Sequence, residues 1–70
     1  MGERQNIYLD VSFPDEVKAM DFAIFCLNTF HFAPAVKRKD VYLVLQTLDD
    51  RSAAFMEIQK LGGVVLRNDN

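Results

Sequence analysis

The amino-acid sequence predicts an α+β domain with the element order βαββαβ, and three patterns carry that expectation. Ile7, Leu9, Val11 and Phe13 alternate with Tyr8, Asp10 and Ser12, the period of a half-buried strand. Two stretches have the 3.6-residue period of helices: residues 15–30, and a later segment carrying Ala54, Phe55, Ile58 and Leu61. Residues 41–45 and 64–66 are β-type apolar runs. The order matches the ferredoxin-like unit, with two helices on one face of an antiparallel sheet.

Each element has a local reason. After the first strand, Pro14, Asp15 and Glu16 mark a helix start, with Ser12 or Phe13 just ahead of the first turn. Proline is tolerated there, and acids favour the positive end of the helix dipole. The helix is expected to end near Thr29 or His31, because Ala33 precedes Pro34 and is pushed out of the helical region. A short strand over 32–36, a turn over 38–40 and a longer strand over 41–47 follow. Asp49 or Asp50 is the expected cap of the second helix, and Gly62-Gly63 stops it in the left-handed conformation. Residues 64–66 form the last strand, and 67–70 read as a frayed polar tail.

The first helix carries more apolar residues than one buried stripe needs. Val17, Met20, Ile24 and Leu27, with Ala23 and Phe30, are the expected core stripe. Phe22, Phe25 and Cys26 are then left pointing sideways or outward. Exposed phenylalanines one turn apart mark a contact surface. On the sheet, Ile7, Leu9, Val11, Val41, Leu43 and Leu45 are expected to face the helices, leaving Tyr8, Tyr42, Val44 and Val65 outward. Phe22, Phe25, Tyr8, Tyr42 and Val44 are therefore the candidate partner-binding residues.

The 70 residues make one domain, residues 1–70, at a size where one core is barely sufficient and oligomerisation is an inexpensive support. A composition 50% hydrophobic and 26% charged is that of a globular domain, not a disordered tail. Cys26 is the sole cysteine and cannot form an internal disulfide, which suits a reducing compartment. With no basic start and apolar run in residues 1–5 to suggest a secretory signal, and no uncharged stretch resembling a membrane span, a cytoplasmic location is expected.

No residue pattern specifies a reaction, a cofactor or a metal site. Glycine occurs at Gly2 and as the helix-ending pair, so there is no phosphate loop; the single His31 and single Cys26 lack metal-ligand spacing. His31 reads as a helix-terminal residue, and Asp10, Asp15 and Glu16 as strand-flanking and first-turn acids. The net charge of −2 argues against a phosphate backbone as partner, since the one basic cluster, Lys37-Arg38-Lys39, runs straight into Asp40. Tyr8 and Tyr42 on central strands raise single-stranded RNA binding as an alternative, but residues 39–45 lack the glycine and spaced aromatics of the RNA-binding signature.

The run Val41-Tyr42-Leu43-Val44-Leu45, then Asp49-Asp50 and Lys60-Leu61-Gly62-Gly63-Val64-Val65, resembles the closing half of an ACT domain, a small regulatory module that associates in pairs and in many members binds an amino acid. Ligand-binding members carry a glycine after strand one where this chain has Asp15 and Glu16, so the resemblance implies pairing more than amino-acid binding. Residues 58–66, Ile58-Gln59-Lys60-Leu61-Gly62-Gly63-Val64-Val65-Leu66, are also similar to the small linker domain of phycobilisomes, which implies an adaptor subunit of a larger complex. The expected function is association: a non-catalytic module acting by homodimerisation, or by binding a larger partner or a small-molecule effector.

Overall fold

The computed structural model describes residues 6–69. The expectation about residues 1–5, and Asn70 of the expected tail, lie outside them. The elements are β1 (Ile7–Ser12), α1 (Glu16–Phe30), β2 (Ala35–Lys37), β3 (Asp40–Leu45), α2 (Leu48–Lys60) and β4 (Val64–Asp69). They form the expected βαββαβ α+β fold, with a four-stranded antiparallel sheet ordered β2-β3-β1-β4.

The register of the two central strands follows the alternation in sequence. Ile7, Leu9 and Val11 of β1 pair with Leu45, Leu43 and Val41 of β3, and all six are buried. Directly opposed residues share a face, so these six form the sheet's contribution to the core. Phe13, Ala19, Phe22, Cys26, Ala54 and Ile58 complete it.

Helix α1 is rotated relative to the sequence expectation. Ala19, Phe22 and Cys26 face the sheet, whereas Val17 is 68%, Met20 52%, Ile24 54% and Leu27 51% exposed. Four of the six residues of the expected core stripe therefore form the outer face, Ala23 and Phe30 stay half-buried with Phe30 packed on the core, and Phe22, expected outside, is fully enclosed. Both rows are apolar at helical spacing, so periodicity alone has no way to choose between them. Side-chain volume does choose: Ala19 and Cys26 are small enough for the helix to lie close on the sheet, with Phe22 filling the gap between them. The Phe22 ring packs 5.2 Å from that of Phe13, the residue just past β1, which ties the helix's rotation to the sheet.

The helix starts also differ from expectation. Asp15 is the N-cap of α1, its carboxylate accepting a hydrogen bond from the Lys18 N–H at 2.9 Å. Pro14 thus lies outside the first turn. Thr47, not Asp49 or Asp50, caps α2, its hydroxyl accepting from the Asp50 N–H at 3.1 Å. The two aspartates lie in the first turn, where the dipole favours negative charge.

At the far end of α2, Gly62 has φ of 77°, and the Gly62 and Gly63 N–H groups donate back to the Gln59 and Ile58 carbonyls. This is the Schellman arrangement. Helix α1 ends on a non-glycine residue in the same conformation: His31 has φ of 64° and its N–H donates to the Leu27 carbonyl. A side chain there carries a steric cost that glycine avoids. His31→Gly is accordingly expected to raise stability by roughly 0.5–1 kcal/mol in urea titrations; a loss would mean that the imidazole itself holds the helix end.

The two outer strands depart furthest from the sequence reading. β2 begins at Ala35, later than expected, and joins β3 through a two-residue turn at Arg38 and Lys39, with Arg38 at φ of 58°. β4 extends through Arg67, Asn68 and Asp69, which pair with Asp10, Leu9 and Tyr8, so this part of the expected tail is strand. A register shift between Asp10 and Val11 leaves Leu66 unpaired and sets Val65 opposite Val11. Val65 consequently packs on the core side, not on the outer face as expected.

Candidate interaction surfaces

The apolar surplus read from the sequence is real, but it lies elsewhere on the helix. Val17, Met20, Ile24 and Leu27 follow one another at intervals of three, four and three residues. That spacing forms a straight seam along a helix, as in the a and d positions of a coiled coil. Each is at least half exposed. The flanking Glu16, Lys18, Asp21 and Asn28 are exposed and polar, so the seam is an apolar strip with a polar rim.

Of the residues expected to meet a partner, Phe22 is fully buried and has no accessible surface for one. Phe25 is half-buried, stacked 6.0 Å from Phe22 and edge-on to Phe30 at 5.8 Å. Phe13, Phe22, Phe25, Phe30 and Phe32 make one continuous file of rings, ending in a stacked Phe30–Phe32 pair 5.9 Å apart. These phenylalanines hold the first helix to the sheet.

The three sheet residues lie together as expected. Tyr8 is directly opposite Val44 and Tyr42 opposite Asp10, which puts all three on the outer face of adjacent strands. Tyr8 and Val44 are half-buried and Tyr42 is exposed. Their surroundings are more polar than expected: Arg67 is opposite Asp10 and Asp69 opposite Tyr8, and Arg67 forms an ion pair with Asp69. This face and the seam of α1 lie on opposite sides of the sheet, so they do not combine into one site.

Elsewhere, the exposed large aliphatic residues are Val36 on β2, Leu48 and Met56 on α2, and Val64 and Leu66 on β4. β4 is an edge strand, but its register shift and its charged Arg67 and Asp69 are features that discourage pairing with another sheet.

The titratable candidates sit in structural roles. Cys26 is buried, and desolvation pushes its thiol pKa up to about 12, so the nucleophilic thiolate is scarce at neutral pH. Asp15 caps α1 and His31 ends it. Among the described residues, no group of three or more His, Cys, Asp and Glu side chains is placed to hold a metal ion, and no helix is long and apolar enough to cross a membrane. A cleft of about 240 Å³ opens where α1 ends and α2 begins, lined by Phe30, Phe32, Val44, Leu45, Gln46 and Asp50.

The seam and the cleft were both missed by sequence reasoning. The signal for the seam was available in the three-four-three spacing, and in the small residues Ala19 and Cys26 on the opposite row. The cleft depends on how His31 turns the chain, which no periodicity records. In comparisons with known proteins, the chain matches no family model, no curated protein and no solved structure.

Proposed function

We propose that this chain is a non-catalytic association module that pairs with a second copy of itself along the outer seam of α1. The observation that carries the reading is the row Val17, Met20, Ile24 and Leu27, four large apolar side chains left half exposed or more on one rigid helix. A two-fold pair sets the same patch against itself, and a straight apolar seam is self-complementary in that sense. The other exposed aliphatic residues, Val36, Leu48, Met56, Val64 and Leu66, form no row of comparable length, and β4 is guarded.

Magnitudes favour a reversible pair. Fully burying an aliphatic side chain contributes about 1.5–3 kcal/mol, so four that are roughly half exposed offer on the order of 4 kcal/mol per copy. Two copies together gain on the order of 8 kcal/mol, against a cost of about 4 kcal/mol or more for losing free translation and rotation. A net gain of about 4 kcal/mol corresponds to a Kd of about 1 mM, so the pair is weak and assembles only at high protein concentration. The pairing implied by the resemblance to ACT domains points the same way, while the acidic neighbours of Tyr8 and Tyr42 weigh against RNA on the sheet.

The test is to place charge in the seam. Met20→Glu together with Ile24→Glu should leave the fold intact, because both positions face solvent in the single chain, yet should abolish the dimer in sedimentation equilibrium. Unchanged self-association in that variant would remove the seam as the interface.

A further inference from the structure

We infer that the two copies pair with their first helices antiparallel, so that Val17 lies against the partner's Leu27 and Met20 against the partner's Ile24. The inference rests on the pairing through the seam proposed above and fixes its direction. A two-fold axis permits either direction: an axis along the helices makes them parallel, and one across them makes them antiparallel.

The residues beside the seam decide between the two. With Val17 and Ile24 as the first positions of successive heptads and Met20 and Leu27 as the fourth, one flank carries Glu16 and Ala23 and the other carries Asp21 and Asn28. Flanking positions of this kind meet across a helix pair and set its orientation. Glu16, Asp21 and Asn28 are exposed, and Ala23 is half-buried. Lys18, the one cation of α1, is a position further from the seam, in the row of Phe25, and neutralises neither flank.

In a parallel pair each flank meets the opposite flank of the partner, five residues further on, so Glu16 would face the partner's Asp21. The two-fold would repeat that contact of acid against acid on the other side. In an antiparallel pair each flank meets the same flank running the other way, which sets Asp21 against the partner's Asn28 and Glu16 against the partner's Ala23. Like charges then oppose nowhere along the seam, and the Asn28 amide can donate to the partner's carboxylate. Because the pair is weak, two repulsive contacts in one direction and none in the other are enough to choose.

Side-chain volume points the same way. Parallel helices would set Val17 on itself at one end and Leu27 on itself at the other, giving a thin layer and a thick one. Antiparallel helices match the smaller valine with the larger leucine at both ends, the alternation that fills a helix interface evenly.

The experiment mixes isotope-labelled and unlabelled full-length chains at about 1 mM or above, where the pair forms, and records the NOEs that pass between them. Val17 and Leu27 of one helix lie about 15 Å apart, beyond the reach of an NOE, so a cross-peak joining their methyl groups comes from the partner. Cross-peaks of Val17 with Leu27 and of Met20 with Ile24 are expected. Two variants read the flanks in sedimentation equilibrium. Asn28→Lys, which brings a cation opposite the partner's Asp21, should tighten the pair about fivefold, an effect that fades as salt is added. Asp21→Lys removes more negative charge from the chain, yet should change the Kd by less than about twofold, since it faces a neutral amide. Cross-peaks joining Val17 to Val17 and Leu27 to Leu27, or tightening by Asp21→Lys and none by Asn28→Lys, would overturn the direction while leaving the seam as the interface. A chain that does not self-associate would fail the pairing itself and the direction with it.

Discussion

Phe22→Ala is expected to leave the chain largely unfolded at room temperature in modest denaturant. The side chain is fully enclosed, packed on Phe13 on one side and Phe25 on the other, at the point where the first helix meets the sheet. Removing a buried phenylalanine ring costs about 3–5 kcal/mol, through lost transfer energy and the cavity left behind. A 70-residue domain has roughly 4–10 kcal/mol of stability in all. Little margin remains after such a loss. Ile24→Ala, two positions along the same helix but half exposed, should cost well under half as much in urea titrations followed by circular dichroism. Equal costs at the two positions would mean that the helix is rotated the other way.

The second large effect is expected at Gly63. A Cβ placed there would lie 2.7 Å from Cε1 of Phe13 and 2.9 Å from Cγ2 of Ile58, both of them core residues held by their neighbours. Gly63→Ala therefore forces apart the seat of α2 on the first strand, with an overpacking cost of about 1–3 kcal/mol. The cause is steric, so it should depend on the ring opposite. In a Phe13→Leu background the added cost of Gly63→Ala should fall, giving a coupling between the two sites in a double-mutant cycle. Additive costs would mean that the Phe13 ring is not the obstacle, because Gly63, unlike Gly62 with its φ of 77°, holds no left-handed conformation that requires glycine.

The sheet was legible in the sequence because its signal is binary. Ile7, Leu9 and Val11 alternate with polar or aromatic neighbours, and a strand offers only two faces, so burying one set puts Tyr8 and Asp10 on the other. The same rule placed Tyr42 and Val44 beside them. It failed at β4, where the register shift by Leu66 reverses the parity and carries Val65 inward.

The rotation of α1 was not legible from hydrophobicity. Val17, Met20, Ile24 and Leu27 form as good a stripe as Ala19, Phe22 and Cys26, and larger residues look like better core. What decides is how near the helix axis can come to the sheet, a volume effect that a pattern of apolar and polar letters does not carry. The first-helix surplus was correctly located, and its direction reversed. The outcome moves the proposed contact surface from Phe22 to the aliphatic seam.

The measurement that tests the account most directly is the solution mass of the unmodified chain over a wide concentration range by sedimentation equilibrium. The account predicts a reversible monomer–dimer equilibrium, with the amide signals of Val17, Met20, Ile24 and Leu27 shifting as the dimer forms and those of the outer sheet face unmoved. A chain that stays monomeric at every concentration, or a dimer whose formation leaves the seam unperturbed, would contradict it.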